Sequence, residues 1–201
     1  MSDRNSQRPH SGPRRDALAH KAILAATLEL LDEVGYASMT IEKVAARAGV
    51  GRATIYRWWP SKGALAGEAL STRMDKGPEQ ETGNLRGDLL HTVEVTMDNY
   101  AGPASPVATL VFAAHVERDR DLLDSFRTNF LEHRRHHTRA MLERAATRGE
   151  LPQDADLDLM MDIWAGAIFY RSHVTGAPVD KDLPRKLVDL LLSGTIPRLT
   201  P

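Results

Sequence analysis

The stretch "TIEKVAARAGVGRATIYRWWPSK" (Thr40–Lys62) decides how this chain folds. Ile41, Val44, Ala45 and Ala48 recur on one helical face, Thr40 stands where an N-cap belongs, and Gly49 stands where that helix would stop. A short helix follows over about Arg52 to Trp59, ended by Pro60, and Ser61 caps a fourth helix beginning at Lys62. Two helices joined by a tight glycine-containing turn, the second short and rich in donors, form a helix-turn-helix pattern. Ala45 is small where the helices cross, and Val50 fits into the angle between them. Ile55 and Trp59, four apart, are expected to point into the core.

Arg52, Thr54, Tyr56, Arg57 and Trp58 then occupy the remaining circumference. Their chemistry suits duplex DNA. Arginines donate paired hydrogen bonds to guanine edges or phosphates, and Thr and Tyr hydroxyls donate to phosphate oxygens. Thr40 and Lys62 sit at starts of neighbouring helices, where backbone N–H groups also favour phosphate. The alternative on the pattern alone is an ordinary surface helix packed through its aromatics.

Working outward, "AILAATLELLDEVGYASMTIEKVAARAGVGRATIYRWWPSKGALAGEAL" (residues 22–70) resembles the TetR-like transcriptional repressors. The resemblance lies in a first helix ending in a Gly-aromatic pair, then Thr-Ile, an Ala-x-x-Ala-Gly-Val turn, Thr-Ile-Tyr, and Ser-Lys before the fourth helix. It implies that the second short helix enters the major groove. It also implies DNA contacts at Thr40, Arg52, Thr54, Tyr56, Arg57, Trp58 and Lys62. Many relatives have a polar residue where this chain has Gly51, so Arg52 is expected to carry more of the readout.

Charge is distributed to match. Residues 1–62 hold ten Lys/Arg and six Asp/Glu, net +4, whereas residues 63–201 hold sixteen and twenty-one, net −5. Residues 1–15 read as a disordered basic arm, of which Arg14 and Arg15 are candidates for DNA contact. The expected division is an arm at 1–15, a DNA-binding domain at 16–62, and a helical regulatory and dimerisation domain at 63–201. The first helix begins at Asp16, carries Leu24, Leu28 and Leu31 on one face, and stops at Gly35.

The remainder reads as helices at about 84–100, 106–116, 122–148, 155–175 and 181–193, with 77–83 a loop. No stretch alternates with period two, so the fold class is all-α with about nine helices. Cysteine is absent, and the longest apolar run, "IWAGAIFY" (163–170), is too short to span a membrane. With no signal-peptide pattern at the amino end, a cytoplasmic protein is expected.

The helix at 155–175 is apolar nearly all round, so it must be covered on more than one side. The resemblance implies a homodimer through this helix and the last one, binding a palindromic DNA operator, with Gly166 and Ala167 permitting close helix approach. It also implies a small-molecule effector pocket. Candidate lining residues are Met97, Tyr100, Leu110, Phe112, Phe126, Phe130, Met141, Trp164 and Phe169, whose aromatics and methionines suit a flat apolar molecule.

Other chemistries find little support. His133 and His137 in "LEHRRHH" (131–137) share a helical face, but further zinc ligands are lacking and Arg134 stands where a zincin has Glu. No nucleophile–base pair, paired carboxylates or phosphate-binding glycine loop is present, so neither catalysis nor a cofactor is expected. The competing reading is a dimeric small-molecule-binding protein without sequence-specific DNA binding.

Overall fold

The structure, a computed structural model, describes residues 13–74 and 82–193, without the side chains of residues 13–15, 112, 115 and 116. The basic arm as far as residue 12, most of the loop expected at 77–83, and the side chains of Arg14, Arg15 and Phe112 lie outside the described residues.

Within these residues the chain forms helices α1 (Pro13–Ser38), α2 (Ile41–Ala48), α3 (Arg52–Tyr56), α4 (Lys62–Ser71) and α5 (Leu85–Ala101). Then come α6 (Ser105–Glu117), α7 (Arg120–Phe126), α8 (Glu132–Thr147), α9 (Leu157–Tyr170) and α10 (Leu183–Leu192). A π-helical turn, Arg127–Leu131, joins α7 to α8, and a second, Arg171–Thr175, extends α9. The all-α class stands, and the α7–α8 rod corresponds to the single long helix read at 122–148.

Local chemistry explains the boundaries. Thr40 accepts from the Lys43 amide at 3.3 Å, Ser61 from Ala64 at 3.1 Å, and Asn84 from Gly87 at 2.8 Å. Such caps stabilise a helix start by about 1 kcal/mol each. Gly49 ends α2 at φ 66°, a left-handed conformation open to glycine without a Cβ penalty. The Val50 amide there returns to the Ala45 carbonyl at 3.0 Å. Gly35 breaks α1 where its stop was expected, at φ 74° and ψ 167°, and the chain turns helical again to Ser38.

One boundary needs correction. The second short helix, α3, ends at Tyr56 rather than Trp59, although the amides of Trp58 and Trp59 both still bond to the Ile55 carbonyl at 3.0 Å; Pro60 disfavours helical geometry at Trp59 itself. On α1 the deepest residues are Ile23, Ala26, Thr27 and Leu30, while Leu28 and Leu31 lie at the edge of the core.

Two apolar cores form. One joins α1–α4 with α6 and α7 around Ile23, Val44, Ile55, Trp59, Leu65 and Leu122. The other joins α5, α8, α9 and α10 around Leu89, Leu142, Met160, Trp164, Ile168 and Val188. Tyr100 packs against both. The tightest helix contact is α4 on α7, made possible by Gly63 and Gly67. A Cβ on Gly67 would lie 2.5 Å from the Leu122 carbonyl oxygen, and one on Gly63 would lie 2.6 Å from Asp119 Oδ1.

Candidate functional site

The helix-turn-helix separates its two faces as its residues demand. Ile55 and Trp59 are buried at 0% and 2% exposure, and Trp59 Nε1 donates to Glu68 at 2.7 Å. Burying each such side chain stabilises by roughly 1.5–3 kcal/mol. Outward stand Arg52, Tyr56 and Arg57, with Thr54 half-buried. Arg52 reaches the Glu42 carboxylate at 3.0 Å, and Arg57 reaches Asp16 at 3.0 Å. Bonds from its own backbone amide, Arg52 and Thr40 hold the Glu42 carboxyl below its ordinary pKa. Acidic side chains thus pair with two of the candidate DNA-binding arginines.

Trp58 departs from expectation. It is half-buried, edge-on to Trp59 at 5.6 Å and to His20 of α1 at 5.4 Å, with the Arg57 guanidinium 4.7 Å from its ring centroid. The short α3 turns this ring back towards α1 rather than wholly outward. Lys62 is also engaged: its ammonium donates to the Tyr36 carbonyl at 3.0 Å and lies 4.3 Å from the Tyr36 ring centroid. An ammonium carries three N–H donors, so phosphate contact remains chemically compatible with this bond.

Among the cavities beyond α4, two share Tyr100 in their walls. An apolar one of about 230 Å³ is lined by Met74, Ala108, Val111, Leu123, Phe126 and Phe169, together with Tyr100. A smaller one, about 50 Å³, is lined by Tyr100, Phe130, Leu131, Met161, Trp164 and Ala165 on its apolar side. Its polar side comprises Thr96, Asn99, Arg134, Arg135 and Thr138. Of the candidate pocket residues, Tyr100, Phe126, Phe130, Trp164 and Phe169 line one or both of these cavities. Met97, Leu110 and Met141 instead pack into or against the cores. The π-helical turn carries Phe130 and Leu131 into the wall of the smaller cavity; such bulges often mark functional positions.

The polar wall was not anticipated. Asn99, Thr96 and Thr138 are buried, and Arg134 donates to the Thr92 carbonyl at 2.8 Å and Thr96 Oγ1 at 3.2 Å. Arg135 bridges to Asp158 at 2.8 Å and Asp162 at 2.6 Å, so those aspartates hold α9 to α8. Within residues 131–137, Glu132, His133 and His136 are exposed, while Arg134 and Arg135 turn inward. The His133 and His137 rings lie 4.3 Å apart, and among the described residues no group of three or more metal-ligating side chains assembles.

Residues 23–69 match the family model for "Bacterial regulatory proteins, tetR family", and residues 79–191 match that for "Tetracyclin repressor-like, C-terminal domain". The chain is 35% identical over 179 residues to the uncharacterized HTH-type transcriptional regulator YdeS of Bacillus subtilis (strain 168), covering 88% of this chain and 89% of that one. It is 32% identical over 174 residues to the DNA-binding transcriptional repressor TetR of Mycobacteroides abscessus, covering 85% and 90% respectively. The crystal structure of TetR family transcription regulator SCO0332 is 32% identical, with a TM-score of 0.72, covering 89% of this chain and 99% of that one.

Proposed function

The chain belongs to the TetR family of transcriptional regulators, and from that premise we propose that it is a repressor released from its operator by a small apolar or aromatic ligand. The observation that carries the reading is the α2–α3 unit. Ile55 and Trp59 anchor a short helix whose opposite face offers Arg52, Tyr56 and Arg57. Thr40, Thr54, Trp58 and Lys62 border that face, and Arg14 and Arg15 precede it on α1. In this reading residues 16–62 read DNA, residues 63–201 sense and dimerise, and the arm 1–15 adds contacts. Such a protein works where the chromosome is, in the cytoplasm, and performs no catalysis; among the described residues no helix is long and apolar enough to cross a membrane.

Dimerisation through α9 and α10 is supported by what a single chain leaves uncovered. Leu159, Ile163, Gly166, Tyr170 and Val174 follow one another at spacings of four, three, four and four along one helical face. Tyr170 and Val174 are each 57% exposed, and Leu190 on α10 is 53% exposed. A second copy covering these residues would bring two recognition helices to successive major grooves about 34–36 Å apart.

The same frame supplies a route for release. Leu123 and Phe126 of α7 line the apolar cavity, while Leu122 and Ser125 of the same helix press on α4 at Gly67. A ligand that binds better to a shifted α7 therefore biases α4, and with it the recognition helices, away from the operator spacing. The test is a gel shift with DNA flanking the protein's own gene. Retardation above nonspecific DNA, reversed by a ligand, is expected. Failure to discriminate any fragment at moderate salt leaves the dimeric ligand-binding alternative instead.

A further inference from the structure

The two cavities differ in chemistry and meet at one residue. Tyr100 lines both, and its ring lies edge-on to Phe169 at 6.1 Å. Phe126 of the apolar cavity and Phe130 of the polar one sit 5.3 Å apart on consecutive turns. A molecule reaching from one to the other therefore meets aromatic carbon along its body and hydrogen-bonding groups at its end.

The polar end is unbalanced in favour of donors. Arg134 and Arg135 only donate, as does the Trp164 indole; Asn99, Thr96 and Thr138 can do either. No carboxylate lines this cavity among the described residues. The acceptors of the Arg134 guanidinium include two neutral oxygens, the Thr92 carbonyl and Thr96 Oγ1. Asp158 and Asp162 approach Arg135 from α9. Burial raises the phenol pKa of Tyr100; the positive charges of Arg134 and Arg135 act against that rise, and the nearby negative charge of Asp162 adds to it. The two arginines and Asp162 are therefore all felt at the partition between the cavities. A cationic head group would be repelled there, and a neutral one would gain only ordinary hydrogen bonds. An anionic acceptor gains charge-assisted bonds, about twice as strong.

Resting on the effector reading above, we propose that the ligand class is a small organic acid. Its apolar body lies beside Leu123, Phe126 and Phe169, and its carboxylate is received by Arg134, Asn99 and Thr138. The apolar cavity, about 230 Å³, is smaller than the roughly 300–1,000 Å³ usual for small-molecule pockets. That size selects a compact ring system or a short alkyl chain.

The test is calorimetric titration of the purified full-length protein with matched acids and primary amides: 2-naphthoate and 2-naphthamide, phenylacetate and phenylacetamide, octanoate and octanamide. At least one acid is expected to bind about tenfold or more tightly than its amide, the range for hydrogen bonds to charged groups. Arg134→Gln should abolish that preference, with acid affinity falling to that of the amide. Should Arg134→Gln fail to fold, Thr138→Val, which keeps shape and removes one donor, should narrow the preference by lowering acid affinity more than amide affinity. Equal binding of acid and amide, or a preference that survives both variants, overturns the anion site while leaving the effector cavity standing. Binding by no member of any pair refutes the cavity as an effector site and this inference with it.

Discussion

The hydroxyl of Tyr36, just past the break in α1 at Gly35, donates to the carboxylate of Asp119, which caps α7. One bond thus ties the helix that supports the DNA-reading unit to the helix that lines the apolar cavity. Burial chiefly, then the bond to Asp119 and nearby carboxylate charge, raises the Tyr36 pKa above its ordinary 10.0. A group whose folded-state pKa is raised contributes stability that is complete below the unfolded value and lost as pH rises through the folded one. Tyr36→Phe is accordingly expected to cost about 1 kcal/mol near neutrality, the lower part of the range because the residue is half-exposed. Urea unfolding of wild type and variant at about pH 7 and about pH 10.5 checks this, with the difference expected to shrink at the higher pH. A difference that widens with pH would show that the bond contributes nothing.

Gly67 sets helix propensity against sterics. Propensity alone favours Gly67→Ala by about 1 kcal/mol. The added Cβ, however, would stand 2.5 Å from the Leu122 carbonyl oxygen and 2.7 Å from Ser125 Cβ. The backbone contact cannot yield without moving α7, so net destabilisation of about 1–3 kcal/mol is expected. A raised midpoint in urea would mean that α4 and α7 part more easily than their contact implies.

The adjacent tryptophans should separate under mutation. Trp59→Ala empties a buried site and removes the bond to Glu68, an expected loss of about 3–5 kcal/mol. Trp58→Ala removes edge-on contacts with His20 and Trp59 and the Arg57 guanidinium beside its ring, so a cost of about 1–2 kcal/mol is expected. Operator affinity should fall in the Trp58 variant while its circular dichroism stays that of the wild type. Equal stability losses in both variants would refute the separation.

In the proposed DNA-binding role, Arg52 and Arg57 would exchange their carboxylate partners, Glu42 and Asp16, for phosphate or base edges. Arg52→Ala is therefore expected to lose about 1–3 kcal/mol of operator affinity. Glu42→Gln and Asp16→Asn, which remove the competing charges, should tighten DNA binding, most at low salt. Anisotropy titrations across salt concentrations measure both signs. Weaker binding by the two neutral variants would show that the carboxylates position the arginines rather than compete for them.

Local punctuation made the DNA-reading end legible in the sequence. Thr40, Gly49, Ser61 and Pro60 each act through their own chemistry, and their effects do not depend on distant packing. The polar cavity was hidden because its wall obeys a different period. Leu122, Phe126, Phe130, Arg134 and Thr138 recur every fourth residue. In an ideal α-helix that spacing drifts about 40° per step, or about 160° over the series. Counting at 3.6 residues per turn therefore sends Arg134 to solvent. The π-helical turn at Arg127–Leu131 absorbs part of the drift and brings Arg134 inward. On α5, Thr96 falls at core spacing after Leu89 and Val93 and before Tyr100, and a polar residue on an apolar stripe was the available signal.

Gly166 separates what one chain needs from what two need. It is exposed on α9 beside Ile163 and Tyr170, and a Cβ there would meet nothing within 4 Å in the protomer. Gly166→Leu should therefore be harmless to a single chain, and helix propensity favours it by about 0.5–1 kcal/mol. If a second copy packs its own helices against this face, the new side chain occupies the space that close approach requires. The expected outcome is a shift towards monomer by light scattering and weaker operator binding. The melting temperature should also lose the dependence on protein concentration that a dimer confers. A variant that stays dimeric, keeps its operator affinity and melts higher would move the interface away from this face of α9.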